Sequence, residues 1–153
     1  MIATTCDVSQ QIHEIQQSVE RLQGAELEII GTASPGDTVR QGDLLLVCLA
    51  ELPAGRPAET RQLAPGTTQG SRHVAEGLCR VSHSANPAQI VAAINRLVRG
   101  AVVLAPLVGP VVECYGVTTI THPEHGHKQL PAETVWAVVY QRQYAEEVRR
   151  VVD

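Results

Sequence analysis

The chain has no phenylalanine, and its aromatic side chains are only Tyr115, Trp136, Tyr140 and Tyr144. Single-stranded nucleic acids are held largely by stacking bases on aromatic rings, so a platform of that kind has little to be built from. A formal net charge of −4 also works against phosphate backbones. A last-ranked nucleic-acid reading would rest on Arg142, Arg149 and Arg150. Long apolar runs are missing as well: nothing approaches the ~18 residues of a membrane-spanning helix. The stretch Met1 to Asp7 has no basic region followed by an apolar one, so no secretory signal is expected and the chain reads as cytoplasmic.

No Cys-x-x-Cys pair occurs. Cys6, Cys48, Cys79 and Cys114 are too widely spaced for a thiolate zinc cage, and they read as reduced, buried thiols. Hydrolase and phosphate-loop signatures are absent: no Gly-x-Ser-x-Gly, no His-Glu-x-x-His, and no lysine after the glycines Gly66 and Gly70. There are no internal repeats and no low-complexity segments.

What is present is enough apolar material for a core. Hydrophobic residues make up 44% of 153 residues and charged residues 18%, which suits one ordinary domain rather than a disordered chain. Residues 1–24 are expected to form a separable amphipathic helix ahead of a single β-rich domain, residues 25–153. Asp7 caps that helix, with Gln10 placed as in a capping box, and Gly24 stops it. Ile12, Ile15, Val19 and Leu22 recur at helical spacing and form one narrow apolar stripe. The stripe either packs on the domain's own sheet or, being as narrow as a coiled-coil seam, makes these four residues the candidate interface with a second copy or a protein partner.

The β-rich part is marked by short apolar or alternating stretches between Gly and Pro turns. Leu27–Ile30 is a short strand, and Leu44–Leu49, apolar throughout, is a buried central one. Leu52 to Pro57 reads as a loop and Thr60 to Ala64 as a strand. Ser71–Ala75 and Leu78–Ser82 read as two strands, or one broken strand, around Gly77. Val111–Thr121 reads as a strand pair around Gly116, His122–Pro131 as a polar loop, and Thr134–Tyr140 as a strong strand. One helix is inserted: Asn86 caps it, Pro87 takes its first turn, Ile90, Val91, Ile94, Leu97 and Val98 form its apolar face, and Gly100 ends it.

The densest polar cluster is Thr121-His122-Pro123-Glu124-His125-Gly126-His127. Imidazole and carboxylate donors together suit Zn, Fe, Mn or Ni. On an extended backbone His125 and His127 face the same side, a natural ligand pair. His73, after the turn at Gly70, is a further donor. The candidate metal ligands are therefore His73, His122, Glu124, His125 and His127, and a solvated or hydrogen-bonded loop is the competing reading.

Several segments in order carry a resemblance: Arg40-Gln41-Gly42-Asp43 with its following strand, Gly70-Ser71-Arg72-His73, His122-Pro123-Glu124-His125 through Leu130-Pro131, and Gln141-Arg142-Gln143-Tyr144 through Arg149-Arg150-Val151-Val152-Asp153. From residue 40 onward the chain resembles a group of small uncharacterised bacterial and phage-borne proteins that share these four motifs. The resemblance brings no activity with it. Some members have Gly-His-x-His at the central turn where this chain has Ser71, and the group's turn glycine after Leu-Pro is missing from Pro131-Ala132-Glu133-Thr134. Two histidine-bearing turns on a small β framework are also loosely similar to cupin barrels, an analogy of fold alone.

The sequence thus reads as mainly β, a small barrel or two-sheet sandwich, loosely cupin-like, with an N-terminal and an inserted helix. Its first functional reading is a non-enzymatic interaction or assembly module that forms homo-oligomers, without nucleic acid or membrane as partner. The alternative is a cupin-like metal-binding protein, in one version an enzyme, that uses the loop from His122 to His127.

Overall fold

A strand that is apolar at every position must be covered on both faces, and the architecture follows from that demand. In the computed structural model, which describes Ile12 and residues 26–141, the strands are β1 (Leu27–Ile29), β2 (Thr38–Gln41), β3 (Leu44–Leu49), β4 (Gly55–Pro57), β5 (Val74–Ser84), β6 (Val108–Thr121), β7 (His127–Leu130) and β8 (Thr134–Tyr140). One α-helix, α1 (Pro87–Leu97), and two short 3-10 turns, Gln69–Ser71 and Ala105–Leu107, complete the described elements. The helix expected over residues 1–24 lies outside the described residues except for Ile12, which is helical and 53% exposed. No helix among the described residues is long and apolar enough to cross a membrane.

The strands form one curled, open sheet in the order β1-β7-β6-β8-β3-β2. The long strand β6 is its spine. Along one edge β6 pairs with β5 from Ser82↔Val111 to Val74↔Thr121. Along the other it pairs first with β8 and then with β7. Strand β4 adds to the outer edge of β5, and β1 runs parallel to β7, joined by an ion pair between Lys128 and Glu28.

Each face of this sheet carries an apolar cluster. On one side Leu44, Leu46 and Cys48 of β3 meet Trp136 and Val138 of β8, Val112, Cys114 and Ile120 of β6, and Cys79 and Val81 of β5. On the other, Val47 and Leu49 meet Ala137, Val139 and Val111, with Ile90 and Ile94 of α1 laid over them. Alternate residues of β3 and β8 therefore enter different clusters, and that is why both strands lack a polar face. In α1, Pro87 stands in the first turn and Ile90 and Ile94, four apart, present one stripe to the sheet. Asn86 occupies the cap position through its backbone: its carbonyl accepts the Gln89 N–H at 3.0 Å, and its side chain makes no capping bond.

Four sequence expectations differ from the structure. Val108–Thr121 is a single strand and not a pair around Gly116. Gly116 is there to let a neighbour in: a Cβ at that position would fall 2.5 Å from Leu78 Cδ1. At Gly77 the structure follows the alternative of one broken strand: the residue takes φ +106 where the register with β6 shifts, and β5 continues through a bulge. Thr60–Ala64 makes only an isolated bridge, Gln62↔Val74. Both supposed loops contain pairing, at Gly55–Pro57 and His127–Leu130.

The turn into β8 has one uncommon residue. Glu133 sits at φ +62, the left-handed region that costs a side-chain-bearing residue roughly 1 kcal/mol. The turn is held by the Glu133 N–H, which donates to Cys114 O at 2.7 Å, and by Thr134 Oγ1 donating to Pro131 O at 2.7 Å. Glu133→Gly is expected to raise the stability by roughly 0.5–1 kcal/mol, read as a higher midpoint in urea at unchanged slope. An unchanged or lower midpoint would show that the glutamate is not strained there.

Candidate functional site

The ends of the β5–β6 ladder and the β2–β3 hairpin meet at one corner of the sheet. His73 directly precedes β5 and His122 directly follows β6, so the register Val74↔Thr121 carries the two histidines to the same place across 49 residues of chain. The hairpin supplies Gln41 at the end of β2 and Asp43 in the two-residue turn before β3, with Gln41↔Leu44 as the closing pair. Gly42 is required in that turn twice over. Its φ is +57, and a Cβ would fall 2.5 Å from Cδ2 of the His125 ring that lies against it.

The side chains interlock. Gln41 is buried, and its Nε2 donates to Ile120 O at 2.9 Å and to Gly126 O at 2.6 Å. Two carbonyl partners fix the carboxamide orientation, because an amide oxygen turned towards them would be repelled. Gln41 Oε1 therefore faces His73 as an acceptor, and His73 Nδ1–H donates to it at 2.8 Å. His73 is fully buried. Its other nitrogen, Nε2, stands 3.3 Å from Oδ1 of Asp43, whose side chain is one-third exposed.

His122, also buried, organises the turn after β6. Its Nδ1 accepts the backbone N–H groups of Glu124 at 3.0 Å and His125 at 3.1 Å, so the proton of the neutral ring lies on Nε2, which donates to Gly70 O at 3.0 Å. The His122 N–H in turn donates to Nδ1 of His127, 3.2 Å away. The His73 and His122 rings are 4.2 Å apart between centroids, and those of His122 and His125 4.5 Å. His73 and His125 are nearly parallel at 6.5 Å. Burial, reinforced by His122 and opposed by Asp43, pushes the His73 pKa down to about 4. His73 is thus a neutral imidazole at neutral pH.

Of the five sequence-proposed ligands, His73, His122 and His125 come together at this corner. His122 spends both ring nitrogens on backbone groups. His127 is buried beneath the turn, with Nδ1 engaged by His122. Glu124 is exposed and contributes its backbone N–H. Among the described residues no three His, Cys, Asp or Glu side chains form a ready-made metal cage. Sequence reasoning missed Gln41 and Asp43. The signal for them was the Gln-Gly-Asp turn before an apolar strand, which brackets a tight hairpin with one amide and one carboxylate. Of the interface residues, only Ile12 is described. Comparison with protein-family models, with curated proteins and with solved structures gives no match to this chain.

A histidine held neutral in the fold makes stability depend on pH with a definite sign. Above the ordinary imidazole pKa near 6.5, His73 is neutral in both folded and unfolded chains and contributes no slope. Between there and about 4 the unfolded chain binds a proton that the folded one refuses, so stability falls as pH falls. The loss from this group approaches about 3 kcal/mol at full effect. Urea midpoints measured with chelator present should decline from pH 7 to pH 5, and the His73 ring should keep its neutral Nδ1–H nitrogen shifts at pH 5.5. A protonated His73 ring at that pH would contradict the account.

Proposed function

We propose that the protein binds a divalent transition-metal ion, zinc in the first instance, at the corner formed by His73 Nε2 and Asp43 Oδ1. The observation that carries this reading is a convergence of two acceptors. The amide of Gln41 obliges His73 to keep its proton on Nδ1, which leaves a lone pair on Nε2, and that lone pair faces a carboxylate oxygen 3.3 Å away. Either a proton or a cation can lie between two such atoms, and with His73 neutral at neutral pH the Nε2 lone pair is open to a cation. A tetrahedral ion with bonds of about 2.0–2.1 Å holds neighbouring donors about 3.3 Å apart, which matches the separation found. An outer-shell amide that fixes the ring's tautomer is the usual companion of a metal-bound imidazole.

His125, an exposed residue whose ring centroid is 6.5 Å from that of His73, is the nearest further imidazole outside the core, and in this reading it would have to move to become a third donor. His122 and His127 then serve as supports rather than ligands. Two or three protein donors on a partly exposed corner leave positions for water or a small ligand, as in sites that exchange ligands or activate water. The loose cupin analogy belongs to the same proposal: it rests on a curled sheet that brings histidines from two turns to its open end.

Elemental analysis of the untagged full chain, purified without chelator, should find close to one Zn, Fe, Mn or Ni per chain. Asp43→Asn, partly exposed and nearly isosteric, should reduce this below about a tenth while melting like the parent. Gln41→Leu should weaken zinc binding by roughly 10–100-fold. A folded parent that takes up neither zinc, nickel nor manganese in equilibrium dialysis would end this reading.

Self-association remains a second reading, favoured by β1. Leu27 and Ile29 of this edge strand are 43% and 64% exposed, and Ile12 of the proposed stripe Ile12, Ile15, Val19 and Leu22 is exposed too. The partner in this reading is a second copy. Light scattering of the full chain at high micromolar concentration should give a multiple of 16.4 kDa, reduced towards one chain by Ile15→Asp with Val19→Asp. A monomer for the unaltered chain would remove it.

A further inference from the structure

The β5–β6 ladder that presents His73 and His122 has a second chemical feature at its middle. Cys79 and Cys114 are directly opposed partners in the antiparallel register. Both are 1% exposed, both enter the same apolar cluster, and both are free thiols. The Cα separation of opposed residues on antiparallel strands falls inside the window a disulfide needs, about 4.4–6.8 Å, while their Cβ atoms, about 4.5–5.5 Å apart, must draw in to about 3.5–4.5 Å. The bulge between Gly77 and Cys79 places the one irregular step of this ladder beside the pair, where a small closing movement is easiest.

The two thiols are not equivalent. Arg61 reaches in from the segment before β5. Its Nη1 donates to Cys79 Sγ at 3.7 Å and to Gly77 O at 3.1 Å, and its Nη2 donates to Cys79 O at 3.2 Å. The guanidinium, anchored by two carbonyls, lies directly against the Cys79 sulfur, and Cys114 has no such cation beside it among the described contacts. Cys79 also lies in the wall of a cavity of about 770 Å³ shared with Arg61, Arg80 and Glu113. Cys114 lies behind it in the core, next to the hydroxyls of Thr118 and Thr134.

We infer that Cys79 and Cys114 form an oxidisable pair in which Cys79 reacts with a peroxide and Cys114 resolves the product to a cross-strand disulfide. Cys79 gives up its proton as its sulfur attacks one peroxide oxygen, the O–O bond breaks, and the oxygen that leaves takes up a proton as water. Cys79 is then a sulfenic acid. Cys114 gives up its proton, its sulfur attacks Cys79 Sγ, the S–O bond breaks, and a second water departs. Two thiols lose two electrons and one hydrogen peroxide becomes two waters. The cross-link would enclose the 34 residues between Cys79 and Cys114 and tie β5 to β6 on the ladder that ends at the two histidines.

The test uses the folded full chain treated with a few equivalents of hydrogen peroxide. Its intact mass, taken without reductant, should fall by about 2 Da, and digestion should yield one linked peptide joining Cys79 to Cys114, reversed by a dithiol. Cys114→Ser should instead stop at a Cys79 sulfenic acid, about 16 Da heavier and captured by a dimedone-type reagent. Unchanged mass in the treated, folded parent would overturn the inference. So would over-oxidation of Cys79 without a link, or a link to Cys6 or Cys48.

Discussion

The carboxamide of Gln41 is the interaction on which this end of the protein depends. One side chain at the end of a short edge strand ties together three segments that are far apart in sequence: the last turn of β6 through Ile120, the histidine turn through Gly126, and the start of β5 through His73. The Gln41 side chain and its bonds to Ile120 and His73 are buried, where an unpaired amide group costs about 1–3 kcal/mol. The network is therefore fully satisfied or it does not form, and when it forms it dictates the proton's place on His73. The position of Asp43 follows, because the same tight turn that ends Gln41's strand puts the carboxylate two residues on, opposite the remaining nitrogen.

The His122 ring works by the same logic with the roles reversed. A turn of five residues has backbone N–H groups that no strand can pair, and His122 Nδ1 accepts two of them, from Glu124 and His125. The imidazole thus acts as a cap, much as a short polar side chain caps a helix. This explains why a histidine-rich stretch need not be a ligand set. Its residues divide between those that build the turn, His122 and His127, and one, His125, that the turn holds out towards Asp43's hairpin across Gly42.

How much of this was legible in the sequence depends on the range of the interaction. Leu44–Leu49 and Thr134–Tyr140 were readable because burial on two faces leaves a continuous apolar signature. The inserted helix was readable because Pro87 and the four-residue spacing of Ile90 and Ile94 are local signals. Gly116 misled because a glycine that admits Leu78 looks, in one dimension, like a glycine that turns the chain. Strand β7 was hidden because His127–Leu130 is polar in type, and its pairing with β1 and β6 is set by residues about 100 and 10 positions away. The histidines were visible as a cluster. Their partner Asp43 was not, since nothing in residues 40 to 43 announces which of the later turns will fold over them.

Glu133 shows how a local departure is absorbed by longer-range contacts. The turn between β7 and β8 keeps a left-handed residue although no glycine is there, because its N–H is claimed by Cys114 O and the next residue's hydroxyl by Pro131 O. Both bonds are set by β6 and by the strands that flank the turn, so the backbone path is fixed before the identity of residue 133 matters. The same rule governs the corner at His73. The positions of Asp43 and His73 are consequences of ladders that close elsewhere, β2 on β3 and β5 on β6, and of an amide that joins them. A site built in this way keeps its donor spacing in the absence of an ion, because the energy that holds it comes from the sheet rather than from coordination.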